Sequence, residues 1–371
     1  MSFEIFLATA PGLETVLYEE VRMKGFKKAK AIKGGVTIEG GWPEVWRANL
    51  WVRGASRVLA RVGAFKVVHL SNLESLTRDL PWQDILGPEH SFSVSVSCSK
   101  SRIYHSGAAK ERIENAIHKA INSKTSPKKD TDADITIMAR IERDICTLSI
   151  DTSGELLHKR GYKQSVNKAP MRENMAALLL QQCGYNGSEP VFDPMCGSGT
   201  FVIEAAEMAA RLNPGRTRHF AFEKLKTFDP DAWHTMRTVQ REAKNIHHLY
   251  GSDRDAGAIN ISTDNATRAG VGTITEFEHK SISDITPPCA ETGLVIVNPP
   301  YGGRIGDKTK LIPLYQTLGK VLRTKFTGWR VGIITNDRTL AQATKLPFKP
   351  TDAPIQHGGL RITLFQTDPI I

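Results

Sequence analysis

The chain has no CxxC pair, no low-complexity tract, and no apolar run near the ~20 residues that a membrane-spanning helix needs. Its five cysteines, Cys98, Cys146, Cys183, Cys196 and Cys289, are odd in number and widely scattered, so they build neither a disulfide framework nor a zinc site. They read as reduced thiols of a cytosolic protein. The opening "MSFEIFLATAPG" lacks a basic n-region and carries Glu4, which argues against a secretory signal. A cytoplasmic protein without a membrane partner is the expectation. What is present fits an ordinary folded chain: 40% hydrophobic and 24% charged residues rule out disorder, and 371 residues at roughly 150 per domain suggest two or three domains. The formal net charge of +10 suits a polyanionic partner or simple solubility.

The pattern of apolar residues divides the chain. "FEIFLATA" reads as a strand; Leu13, Val16, Leu17 and Val21 follow at helical spacing, and "GGVTIEG" is a second strand, giving a small α+β unit over 1–65. "PEVWRANLWVRGA" is a helix, and from Arg57 the pattern becomes strand-like. A second unit over 66–155 holds the period-two strand "SFSVSVSCS" and a helix lined by Ile113, Ala116, Ile117 and Ile121. "DITIMARIERDICTLSID" then reads as a hairpin turning at Glu142-Arg143-Asp144, and the polar "SKTSPKKDTDAD" before it as a loop. After a linker over 156–170, residues 171–371 alternate helices with the short strands "PVFDP", "HLYGSD", "ITEFEH", "LVIVNPP", "RVGIITN" and "RITLFQT". That alternation predicts an α/β fold with a mostly parallel sheet, which binds ligands beyond the carboxyl ends of its strands.

The strongest local signal is "VFDPMCGSGTFVIEAA". A strand ends at Asp193, Gly197-Ser198-Gly199 form a glycine turn, and Thr200 opens a helix. Glycines at such a junction let the backbone approach a ligand with no Cβ in the way. Val202 occupies the third glycine position of GxGxxG, which disfavours a dinucleotide, and no Walker lysine follows. A ligand needing close approach without a pyrophosphate remains, and S-adenosylmethionine fits. In "HLYGSDRD", Asp253 ends the next strand, where a carboxylate can accept from both ribose hydroxyls. The long stretch before it must be an insertion with an added helix. Asp255 reads instead as the N-cap of "AGAINISTDNATRAG".

"VIVNPPYGGR" supplies the other half. Asn298 lies just past the carboxyl end of a buried strand, on the side of Gly197 and Asp253. An exocyclic amine has its lone pair delocalised into the base, so methylating it requires the amine to be turned. The Asn298 amide oxygen and the Pro299 carbonyl could hold both amine protons, with Pro299 and Pro300 stiffening them. Tyr301 would stack on the flipped base, a contact worth ~1–3 kcal/mol in other systems, and Gly302 and Gly303 would leave room. Trp42, Trp46 and Trp51 read as packing for one helix, and His247-His248 as surface.

Taken in order, "ATAPGLE", "DTSGELLHKRGY", "DPMCGSGT", "YGSDRD" and "NPPYG" resemble the bacterial THUMP-containing RNA guanine-N2 methyltransferases. Within that family the chain is similar to the N-terminal half of the enzymes acting on large-subunit 23S ribosomal RNA, over nearly its whole length. The resemblance implies a ferredoxin-like domain, a THUMP RNA-binding domain, and a Rossmann-like class I domain dependent on S-adenosylmethionine. Carried over by motif, the donor contacts fall on Asp193, Cys196, Gly197, Gly199, Thr200 and Asp253, and the amine site on Asn298, Pro299, Pro300 and Tyr301. "EHKSISDIT" departs from the pattern. Ser281 stands where relatives often have an acidic residue for the adenine, so either Asp284 takes that role or backbone alone does. The chain also ends at Ile371, where some relatives continue into a further methyltransferase domain that is expected to be absent.

The expected activity is methyl transfer to guanine N2 in structured RNA, with 23S ribosomal RNA preferred. NPPY would serve any planar amine, so tRNA guanine-N2 and adenine-N6 enzymes are the neighbouring readings. An RNA-binding assembly factor that has lost activity is the reading from another class.

Overall fold

A computed structural model describes residues 2–123, 133–164, 171–239, 243, 246–301 and 308–371. Most of "SKTSPKKDTDAD" and the Gly302-Gly303 pair lie outside the described residues. The first elements are β1 (Phe3–Ala8), α1 (Glu14–Met23), β2 (Lys30–Ile32), β3 (Gly35–Gly40), α2 (Trp42–Trp51), β4 (Arg57–Lys66), α3 (Leu70–Arg78) and α4 (Trp82–Ile85). β5 (Phe92–Ser99), α5 (Ser106–Ala120), β6 (Ile135–Glu142) and β7 (Ile145–Asp151) complete the N-terminal part. There follow α6 (Glu173–Gln182), β8 (Val191–Asp193), α7 (Thr200–Ala209), α8 (Pro230–Thr238), β9 (Leu249–Asp253), α9 (Ala256–Ala269) and β10 (Thr275–His279). The last are β11 (Leu294–Val297), α10 (Lys308–Lys325), β12 (Arg330–Thr335), α11 (Arg338–Ala343), β13 (Ile355–His357) and β14 (Leu360–Gln366). Among the described residues no helix is long and apolar enough to cross a membrane.

Two compact units emerge. One comprises Met1–Thr9, Glu20–Leu157 and Arg218–Val239, the other Ala10–Glu19, His158–Thr217 and Gln240–Ile371. The first is built on a seven-stranded sheet of order β2-β3-β1-β4-β7-β6-β5. β4 is the shared strand: its start pairs with β1, and from Leu59 to Lys66 it pairs with β7, across a register shift between Arg61 and Gly63. Strands of the regions 1–65 and 66–155 therefore form one sheet, which period-two patterning cannot disclose because it reports faces and not partners. The β6–β7 hairpin turns through Arg143 and Asp144, both at positive φ, as a two-residue turn requires when it follows the strand twist.

The chain between α7 and β9 divides unexpectedly. Residues 218–239, read from sequence as an insertion into the C-terminal region, cluster with the first unit. Aromatic contacts explain this: Phe222 packs on Trp46 at 6.2 Å and edge-on to Trp233 at 5.0 Å, and Phe228 meets Trp46 at 6.0 Å. Trp46 is thus a core residue, and α8 is capped by Asp229, whose carboxylate accepts from the Asp231 and Ala232 N–H groups. Arg57 pairs with Asp151 and Arg61 with Glu4 at 2.6 Å, so both side chains are held within their own sheet.

The second unit has the sheet order β10-β9-β8-β11-β12-β14-β13. The five strands from β10 to β12 are parallel, and β14 joins antiparallel to β12. From β8 the chain moves outward to β9 and β10, then returns to place β11 on the other side of β8. The order reverses between β8 and β11, which is where such sheets open a crevice at their carboxyl ends.

One polar cluster locks α2 to its sheet. Asn49, 1% exposed, donates to the Val45 carbonyl and to Thr152 Oγ1, both at 3.0 Å, and accepts from Ser153 Oγ at 2.7 Å. Replacing Asn49 with leucine leaves buried hydroxyls short of partners and is expected to cost the first unit roughly 2–3 kcal/mol. Urea unfolding followed by tryptophan fluorescence reads this, since Trp42, Trp46, Trp51, Trp82 and Trp233 all lie in that unit. A loss below about 0.5 kcal/mol would contradict the role given to the cluster.

Candidate functional site

The site lies at the carboxyl ends of β9, β8 and β11. In register, Val191 and Phe192 face Leu294 and Val295, and Asp193 faces Gly251. Asn298 follows β11 and Asp253 ends β9, one on each side of β8, so two strand spacings of roughly 10 Å in all separate their strands. Asp193, Cys196, Gly197, Gly199, Thr200, Asp253 and Asn298 are thus gathered at one end of one sheet.

The glycine loop is built for close approach. Gly197 has φ +55° with nothing within 4 Å of where a Cβ would stand, so it opens to space. Gly199 has φ +80° and caps α7; a Cβ there would meet Ser262 Cβ at 3.0 Å and Phe277 Cζ at 3.3 Å. The two glycines have different tasks, one toward open space and one toward packing. Cys196 pins the loop by donating its N–H to the Ser252 carbonyl at 3.0 Å. Asp253 completes it: one carboxylate oxygen accepts from Gly197 N–H and the other from Asp255 N–H, each at 3.0 Å. Each oxygen keeps a second acceptor site for a ligand hydroxyl.

The charges here are arranged by burial. Burial, with Asp253 adding to it, pushes the Asp193 carboxyl up to about 8 against the hydrogen bond from Met195 N–H at 3.0 Å. Burial also pushes the Cys196 thiol well above its ordinary value, and Cys183 and Cys146 up to about 12, so none of these sulfurs is an activated nucleophile. Among the described residues no cluster of histidine, cysteine or acidic side chains could hold a metal.

Past β11, Asn298 Oδ1 is buried with no hydrogen-bond partner among the described residues. A buried amide oxygen left unpaired costs stability, and this one stands at the carboxyl end of a central strand. Pro299 is buried and Pro300 half-buried, and Tyr315 Oη donates to the Pro300 carbonyl at 3.3 Å. Tyr301 differs from an open stacking platform. Its ring is 9% exposed, so a base can use it only where its cover is displaced. Asp284 stands exposed in the turn after β10, accepting from Ser283 Oγ at 3.2 Å.

Sequence reading missed the buried ions behind the loop. Lys163 Nζ donates to Thr200 Oγ1 at 2.8 Å and to the Met171 carbonyl at 3.2 Å, and pairs with Glu173 at 3.1 Å. With its three protons so placed, Thr200 is left to donate its own proton elsewhere. Burial raises the Glu173 carboxyl while Lys163 pulls it down. Arg160 pairs with Glu204 at 3.1 Å, both buried. The available signal was the pair of glutamates inside the otherwise apolar "FVIEAAEMAA". A groove of about 140 Å³ runs along β8, β9 and β10, lined by Phe192, Tyr250, Gly251, Glu276, Glu278, Lys280 and the stretch from Ile285 to Pro288, and does not include Asn298. Glu276 and Glu278 alternate with Phe277, which packs toward Gly199.

Residues 160–357 match the family model described as RMKL-like, methyltransferase domain; 4–59 match the RlmL ferredoxin-like domain and 69–151 the THUMP domain. The chain is similar to the ribosomal RNA large subunit methyltransferase K/L of Psychromonas ingrahamii, 36% identical over 95% of this chain. It spans 49% of that relative's length. A Synechocystis protein provisionally named as an RNA methyltransferase is 32% identical, over 97% of this chain and 95% of its own. Among solved structures, the provisionally named methyltransferase SMU.472, complexed with SAH, superposes with a TM-score of 0.90 at 27% identity, covering 99% of this chain and 98% of that one.

Asp193 carries a pH prediction. Its folded-state carboxyl titrates near 8 against an ordinary 3.8, so between those values unfolding releases a proton and stability falls as pH rises. Asp193→Asn keeps an acceptor for Met195 and removes the titration. The variant is expected to gain on the wild type from about pH 5 to about pH 8, by at most about 1.4 kcal/mol per pH unit. Urea unfolding followed by circular dichroism checks this, and a difference that does not change with pH would contradict it.

Proposed function

From a chain that belongs to the methyltransferase family joining a ferredoxin-like and a THUMP domain to an RMKL-like methyltransferase domain, we propose transfer of a methyl group from S-adenosylmethionine to the exocyclic N2 of a guanine in structured RNA. The substrate in this reading is 23S ribosomal RNA or a precursor of the large subunit. Its support is the resemblance across the whole chain, the K/L relative's name and the THUMP match. The net charge of +10 suits a phosphate-rich partner.

The donor fits the residues present. The open face at Gly197 admits a ligand against backbone, Asp253 has acceptor capacity for the ribose hydroxyls, and Thr200 has a proton to give. When bound, the donor supplies an electrophilic methyl on a sulfonium. Asp284 is the side-chain candidate for the adenine, with backbone as the alternative.

The single observation carrying the acceptor assignment is the buried Asn298 Oδ1, which has no hydrogen-bond partner among the described residues. Asn298 Oδ1 and the Pro299 carbonyl take the two N–H groups of the amine and turn its lone pair out of the base plane. Neither oxygen is basic enough to remove a proton from a neutral amine, so the gain is orientation and stabilisation of the charge that grows on nitrogen. As the nitrogen takes the methyl, the donor's sulfur keeps the electron pair of the bond it loses and becomes a neutral thioether, and the charged nitrogen then gives its proton to water.

Asn298→Ala is expected to slow transfer roughly 100-fold or more while S-adenosylhomocysteine binds as tightly as to the wild type. Ribosomal RNA from cells lacking the protein serves as substrate, with N2-methylguanosine read by nucleoside mass spectrometry and binding by calorimetry. An alanine variant at the wild-type rate overturns the role of Asn298. N6-methyladenosine as the product overturns guanine.

A further inference from the structure

The acceptor loop leaves β11 through two residues with no N–H, so Pro299 and Pro300 cannot donate a backbone tether of their own. The tether comes from outside. Tyr315, on α10 and 0% exposed, donates its hydroxyl to the Pro300 carbonyl at 3.3 Å.

The direction of this bond is forced, because a carbonyl can only accept. Burial pushes the Tyr315 phenol up to about 12, so it keeps its proton throughout neutral pH.

We propose that Tyr315 is a positioning residue, holding the Asn298-Pro299 acceptors in register through its hydrogen bond to the Pro300 carbonyl. The proposal rests on reading the Asn298 loop as the amine site. Fixing the Pro300 carbonyl sets the peptide plane that follows the two acceptors and leaves the Pro299 carbonyl free for substrate. Both ends of the tether are rigid: one is a fully buried residue of α10 and the other a proline pair.

Tyr315→Phe removes only the hydroxyl and keeps the buried ring. It is expected to lower kcat roughly tenfold, with the KM for S-adenosylmethionine and the affinity for S-adenosylhomocysteine unchanged. Amide hydrogen exchange of the peptide covering 294–301, measured without RNA or donor, should be faster in the variant. A wild-type kcat or unchanged exchange each overturns the tether. Should the phenylalanine variant fail to fold, Tyr315→Met, which also lacks the hydroxyl and fills space adaptably, carries the same exchange readout. Because exchange needs no catalysis, a wild-type protein that transfers no methyl to RNA refutes the amine-site reading while exchange still decides the tether.

Discussion

A parallel sheet whose chain order reverses beside its central strand leaves a crevice at the carboxyl ends that no connecting helix fills. Here the reversal falls between β8 and β11. Everything ascribed to the site follows from that gap. β8 delivers the glycine loop, β9 delivers Asp253 to bind the loop's Gly197 N–H, and β11 delivers Asn298 from the opposite side. The proposed donor and acceptor halves come from separate parts of the sequence, and neighbouring strands bring them together.

The chemistry suited to such a gap is set by what burial has done to its charges. Asp193 is held near neutral titration, the Cys196 thiol is kept protonated, and Lys163 is committed to Thr200, Met171 and Glu173. What the proposed acceptor site offers is an amide oxygen and carbonyls. Groups of this kind orient an amine and accept its hydrogens, and they do not act as a strong base. Rigidity therefore matters more than basicity, and the prolines after Asn298 with the Tyr315 tether supply it.

Local signals carried much of this in the sequence. Strict alternation marked β5, the polar triplet at 142–144 marked the β6–β7 turn, and Gly197 to Thr200 marked a strand-to-helix junction. Three things were illegible for a common reason, namely that they depend on contacts far apart along the chain. β4 is shared between two regions that patterning separates; residues 218–239 leave their sequence neighbours for the aromatic cluster at Trp46; and Lys163 meets Glu173 and Thr200 in the interior. The burial of Tyr301 has the same origin, since nothing in "NPPYG" reports what packs over the ring.

A structure of the protein with S-adenosylhomocysteine tests the central claim most directly. The account predicts the ribose hydroxyls on Asp253, the ligand backbone-close at Gly197, and the sulfur turned toward Asn298. Ligand seated in the groove at Glu276, Glu278 and Lys280, or bound with its sulfur away from Asn298, would contradict it.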